Sequence, residues 1–267
     1  MTRRVPAIKR NFLDTSHGQL HYVTAGKDSR KPVLLLHKTP RSIDEYRDVI
    51  PILAEDYRVI AVETIGYGDS DKPRAVLSIE DYAGAVKLLL DELGIEKAVI
   101  VGHLTGSVIG AEVAAGYPDK VEKLVLSGPI YIDEKTRQEH AGFFEQWRVK
   151  ADGSHLVELW QERLRWVSDP DFIHRLVVDV LKCGETSENA HISVANYRME
   201  DRLPLVRCPV LLIIGKKDPF VYPEKCRMFK HVLPDSREVL LEEGALFVPD
   251  ELPDIFAKLV IDFIKNG

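Results

Sequence analysis

The chain has 267 residues, 45% of them hydrophobic, enough to fill one large core or a core with a modest insertion. Its 42 acidic and 36 basic side chains give a formal charge of -6 without any run of five like charges, which argues against a nucleic-acid partner. The three cysteines, Cys183, Cys208 and Cys226, show no CxxC spacing, so neither a disulfide framework nor a zinc site is expected, and a reducing cytoplasmic location fits best.

In chain order, the opening M-T-R-R-V-P-A-I-K-R lacks the apolar centre of a signal peptide, and no later stretch approaches the ~20 apolar residues of a membrane span. Leu20–Thr24 alternates and reads as a strand. Continuous apolar runs at Val33–His37, Arg58–Val62, Ala98–Val101, Lys123–Leu126 and Val210–Ile214 read as strands buried on both faces. Helical periods lie between them at Ser42–Leu53, Ile79–Leu93, Thr105–Ala115, Pro223–Val232 and Leu252–Ile264. Ser42 and Glu45 have the spacing of a capping box. Strands alternating with helices predict an α/β protein with a mostly parallel sheet covered on both faces.

The alternation stops over residues 131–203, which are helical in pattern and hold all three tryptophans. Phe143, Phe144, Trp147, Trp160, Trp166 and Tyr197 fall here. With no Gly- or Pro-rich linker on either side, this segment is expected to lie over the sheet as a helical insertion, its rings packing it onto the body or lining a pocket.

Residues 102–107 read G-H-L-T-G-S between a strand and a helix. The frame is Gly-x-nucleophile-x-Gly, a sharp strand-to-helix turn that presents a nucleophile, yet its centre is Leu104. With this turn, L-L-L-H-K-T-P at 34–40, E-T-I-G-Y-G-D-S-D at 63–71, C-P-V-L-L-I-I-G-K-K-D-P-F at 208–220 and E-G-A-L-F-V-P-D-E-L-P at 243–253, the chain resembles the α/β-hydrolase superfamily. The likeness covers nearly the whole chain and is nearest to cap-bearing esterases, carbon–carbon-bond hydrolases and dehalogenase-like members. It implies a hydrolase core over 1–130 and 204–267 and a helical cap over 131–203.

The resemblance also implies where the catalytic groups belong. Asp218 matches the family acid, Leu104 stands in place of the nucleophile, and Leu246 stands in place of the histidine. Thr105 offers a hydroxyl beside the turn, but the central residue is the one that points into such a site. The oxyanion-side N–H groups fall to Thr39, in the loop that begins with His37, and to Thr105, directly after the centre of the turn. Lys38 replaces the family's glycine there and brings an ammonium to the pocket mouth, with Arg41 three residues on. Both would suit a carboxylate or enolate, unless they are simply solvated. Glu63 is expected to hold the loop 64–71, and His103 to be a core histidine. His140, His155 and His191 in the cap could supply a titratable group from above.

A leucine cannot attack and a leucine cannot take a proton, so the resemblance leads away from a serine hydrolase. The leading expectation is a pseudoenzyme-like protein, monomeric or homodimeric, that binds a small apolar or carboxylate molecule under the cap without cofactor or metal. The alternative is a non-hydrolytic enzyme of lyase, decarboxylase, isomerase or cyclase type that uses the oxyanion site. An ordinary ester or carbon–carbon-bond hydrolase ranks third.

Overall fold

The computed structural model describes residues 7–140, 148–219, 223–233 and 235–266. Eight strands form one sheet: β1 (Lys9–Thr15), β2 (Gly18–Ala25), β3 (Pro32–Leu36), β4 (Arg58–Val62), β5 (Ala98–His103), β6 (Val121–Ser127), β7 (Val210–Gly215) and β8 (Ser236–Leu241). Their spatial order is β1-β2-β4-β3-β5-β6-β7-β8. The first two pairings, β1 with β2 and β2 with β4, are antiparallel, and every later one is parallel.

The helices are α1 (Val49–Leu53), α2 (Ile79–Glu92), α3 (Thr105–Gly116), α4 (Glu134–His140), α5 (Ser154–Arg163), α6 (Pro170–Cys183), α7 (Asn189–Asn196), α8 (Met199–Arg202), α9 (Pro223–Val232), α10 (Val248–Glu251) and α11 (Pro253–Asn266). Strand side chains alternate between faces. Leu34, Leu36, Ile60, Ile100, Leu124 and Leu212 therefore enter one core with α2 and α3. Val33, Leu35, Val59, Val101, Val125 and Leu211 enter a second core with α1 and α11. On the second face Lys123 reaches out of β6 and donates to the carbonyls of Phe263 and Ile264 at 3.0 and 2.9 Å, a buried cap on the last turn of α11.

The six strands read from the sequence are present, and so are the α2, α3, α9 and α11 periods, within a few residues. The expected helix Ser42–Leu53 is instead a 3-10 turn, Ile43–Tyr46, followed by the short α1. The capping box at Ser42 does not form. Ser42 Oγ accepts the N–H of Asp44, while the Glu45 carboxylate turns away and accepts the N–H of Lys38 at 2.8 Å. The box belongs to Ser78 and Asp81 at the start of α2. The edge strands β1 and β8 were not expected. Neither has a fully buried residue, and their sequences, K-R-N-F-L-D-T and S-R-E-V-L-L, lack the unbroken apolar run of a strand buried on both faces.

Between β6 and β7 the described residues are helical, with no strand. Several contacts tie this stretch to the rest of the chain. Tyr197 donates to Glu112 of α3 at 2.7 Å, Arg202 reaches the same carboxylate, and Ala190 N–H donates to the Tyr67 hydroxyl at 2.9 Å. Trp160 packs against a small cluster of α5 and α6, and Trp166 is exposed. Phe143, Phe144 and Trp147 lie outside the described residues.

Candidate functional site

β5 delivers its chain to α3 through Leu104, whose φ of 46° and ψ of -111° make it the one non-glycine residue with positive φ among the described residues. Backbone strain of this kind gathers where surrounding structure fixes it. Two glycines do so here. A Cβ on Gly106 would lie 2.0 Å from the carbonyl oxygen of Leu36, and one on Gly102 would lie 2.1 Å from that of Gly106. The turn is thus pressed against the end of β3 by backbone contact that no side chain would permit. Thr105 opens α3, so its N–H is among the first four that a helix leaves without an intrahelical partner.

The Leu104 side chain is 6% exposed and clusters with Ile214, Ile130 and Leu246. The positions read as nucleophile and histidine are therefore brought into one cluster, but an apolar one. Asp218 follows β7 and is buried. Its charge helps hold Lys38 protonated. A small apolar cavity of about 10 Å³ lies elsewhere, lined by Leu20, Leu36, Val62, Tyr82 and Ile109 among others, with room for about one water. It is not the capped ligand pocket expected over Leu104.

The loop after β3 differs most from expectation. Lys38 and Arg41 are neither mobile nor solvated: they are 4% and 2% exposed. Arg41 pairs with Asp179 of α6 and, at 2.9 Å, with Asp250 of α10. Burial works against its charge, and Asp250 and Asp179 overcome that. The guanidinium is therefore engaged by the protein's own carboxylates, and Arg41 is not poised for a ligand anion. Arg175 adds bonds to Asp250 and Asp44 at 2.8 and 2.6 Å, and Ser42 donates to Asp179 at 2.7 Å. His37, expected near the ligand, has both ring nitrogens occupied. Its Nε2 accepts the N–H of Thr64 at 3.0 Å, which leaves Nδ1 to donate to Lys38 O at 2.9 Å. Burial pushes its pKa down to about 4.

The Lys38 ammonium group points inward. Its Nζ donates to Leu246 O at 3.1 Å and lies 3.5 Å from the centre of the Phe247 ring. Burial lowers its pKa to about 7. Leu246 O also accepts from His103 Nε2 at 3.1 Å, while His103 Nδ1 faces Ser127 Oγ at 3.0 Å. His103 is the core histidine expected, with a pKa lowered to about 3 by burial and by the charge of Lys38. Glu45, missed as a site residue, lies 3.8 Å from the same imidazole. Burial, and then Asp250, raise its pKa to about 8. Its Oε1 is buried without a hydrogen bond.

A sequence profile for the family described as alpha/beta hydrolase fold matches residues 31–251. The chain belongs to the α/β-hydrolase-fold family. It is 27% identical over 285 aligned positions to Epoxide hydrolase 4 of Homo sapiens, covering 93% of this chain and 76% of that one. A crystal structure of a hydrolase from Pseudomonas aeruginosa PA01 matches with a TM-score of 0.81 at 19% identity, covering 96% of this chain and 98% of the other. The enol-lactonase from Burkholderia xenovorans LB400 matches with a TM-score of 0.78 at 22% identity, covering 96% and 100%. At these identities the structural likeness speaks for the fold alone.

Elsewhere in this α/β-hydrolase-fold chain, Glu63 holds its loop as expected. It accepts the N–H of Asp69 at 2.5 Å and pairs with His21 at 2.8 Å. The ligand atoms of His21, Glu63 and Asp69 lie within 4.8 Å of one another, a spacing that a metal could use. Asp69, however, already pairs with Arg10 and with Lys182, so the protein's own cations balance this cluster. Of the histidines between β6 and β7, His155 accepts from Lys150 N–H at 3.2 Å and His191 pairs with Glu188 at 2.7 Å. The His140 side chain lies outside the described residues. No helix among the described residues is long and apolar enough to cross a membrane.

Proposed function

We propose that this protein has lost the Ser–His relay of its family and binds a small apolar or carboxylate molecule above Leu104, under a cap formed by residues 131–203. The observation that carries this reading is a leucine at the centre of the sharp turn, in one apolar cluster with Ile214, Ile130 and a second leucine at residue 246. No acyl or alkyl intermediate can form on such a residue. In this reading Asp218 keeps the acid position without a histidine to orient, and the N–H groups of Thr39 and Thr105 face the ligand's oxygen. The protein would work in the cytoplasm as a monomer or homodimer.

An activated acyl ester should give no stoichiometric burst, and a fluorophosphonate probe should leave no adduct at residues 104 or 105. An adduct on Thr105, mapped by mass spectrometry, would sink the reading. The converse experiment restores Leu104→Ser and Leu246→His together. Because residues 104 and 246 belong to one side-chain cluster, a serine and a histidine there are expected to pair, and esterase activity should appear. Each single change should do little, since nucleophile and base act as a unit.

The second reading, a non-hydrolytic enzyme of lyase, decarboxylase, isomerase or cyclase type, is favoured by the buried amine of Lys38 against the Leu246 carbonyl. The curated relative named above is an epoxide hydrolase, and ordinary hydrolysis ranks third for this chain for want of a nucleophile.

A further inference from the structure

Lys38 is bonded unlike a buried structural lysine. Compare Lys123, whose ammonium has two carbonyl acceptors on α11. Lys38 Nζ has one acceptor among the described residues, Leu246 O, and otherwise meets the face of Phe247. That ring is itself held edge-on by Phe172 of α6, with centroids 5.2 Å apart. An ammonium carries three donors, whereas a neutral amine carries two and a lone pair. The carbonyl takes one N–H, and the Phe247 face meets the nitrogen in either protonation state. Among the described residues no second oxygen lies within hydrogen-bond distance of the nitrogen, so an ammonium there would lack oxygen acceptors for its remaining protons.

The place of this amine matters as much as its bonding. The carbonyl it touches belongs to Leu246, whose side chain packs against the cluster of Leu104 and Ile214. The nitrogen therefore stands beside the residue that replaces the family's histidine. The charged and titratable groups around it come from four directions: Glu45 and Arg41 on its own loop, Asp250 and Glu251 on α10, Asp218 after β7, and His103 at the end of β5.

We propose that Lys38 is the reactive amine of this site and condenses with the carbonyl carbon of a small aldehyde or ketone bound against Leu104 and Leu246. This rests on the reading that the Ser–His relay is lost, and it names the ligand class. The Nζ lone pair attacks the carbonyl carbon and forms the C–N bond. Both amine hydrogens leave with the carbonyl oxygen as one water, and a C=N bond to Lys38 remains. The step consumes no oxidant or reductant, and water reverses it. Burial supports it by lowering the Lys38 pKa to about 7, so much of the amine is unprotonated at neutral pH.

The probe is 2,4-pentanedione, a 1,3-diketone whose lysine imine rearranges to a conjugated enaminone visible by ultraviolet absorbance and by mass. The wild-type protein is treated at a series of pH values and its labelled peptides are mapped. Lys38 should be labelled at least about tenfold faster at neutral pH than the exposed Lys216 and Lys217, because an ordinary lysine is almost wholly protonated there. The Lys38 rate should rise through about pH 7 and then level. Lys38→Met should abolish the absorbance; should that variant fail to fold, the wild-type map alone decides. Labelling of surface lysines with none at Lys38, or a Lys38 rate still climbing into the ordinary lysine range, overturns the proposal. That failure would leave the lost-relay reading standing, whereas a phosphonate adduct at Thr105 would remove both.

Discussion

At residue 104 a leucine holds a backbone conformation that disfavours it by ~1–3 kcal/mol, and two glycines enforce it. The Gly106 constraint can be measured. A Cβ there meets the backbone oxygens of Leu36 and His37 at 2.0 and 2.8 Å, neither of which can swing aside. Gly106→Ala should lower stability by more than about 4 kcal/mol, in the exceptional range for a single substitution, read as a shifted urea midpoint. Gly94→Ala is the control. Its φ is +63°, but nothing lies within 4 Å of the added Cβ, so it should lose only about 1–2 kcal/mol. The glycine frame was legible in the sequence because the requirement is local and only glycine meets it. Glu45 was not. Its spacing from Ser42 suggested a cap, whereas its hydrogen bond to Lys38 N–H and its approach to His103 depend on the folded loop.

Among elements, the loop after β3 is fastened to α6 and α10 by Arg41, which reaches Asp179 on one and Asp250 on the other. Arg175 and Ser42 share those carboxylates. Removing one partner from a buried pair leaves the other charge without compensation. Arg41→Met should therefore destabilise by about 3–5 kcal/mol. Adding Asp179→Leu should recover part of that loss, and the double-mutant cycle should give a coupling of about 0.5–3 kcal/mol. Strict additivity would mean that the pair is uncoupled. The sequence disclosed little of this cluster, since Arg41, Asp179 and Asp250 are far apart in the chain and isolated charges carry no period. The buried strands were legible because burial on both faces leaves an unbroken apolar run. β1 and β8, at the two edges, lack that run.

The whole molecule's stability should register the buried titratable groups. Lys38 has its folded pKa lowered from 10.5 to about 7, so the unfolded chain binds more protons between those values and stability from this group rises with pH there. Glu45 acts in the opposite sense. Its pKa is raised from 4.5 to about 8, so its stabilising contribution is complete below 4.5 and lost as pH climbs to 8. Both groups are least favourable together near pH 7–8. Comparing urea midpoints across pH, the Lys38→Met, Glu45→Gln double variant should gain most on wild type in that interval. A pH-independent difference would contradict the assignment. His37 and His103, with pKa values lowered from 6.5 to about 4 and about 3, make stability fall as pH drops below 6.5. His103→Asn should remove part of that acid sensitivity.

The sheet divides the interior into two cores that share strands but no side chains, because odd and even residues of each buried strand go to opposite faces. A cavity opened under α2 has no packed route to one opened under α11; between them lies a hydrogen-bonded backbone layer that deforms little. Leu89→Ala on one side and Phe256→Ala on the other should therefore lose free energies that add within about 0.3–0.5 kcal/mol. The molecule can accumulate damage, or repair, on one side of its sheet without the other side registering it.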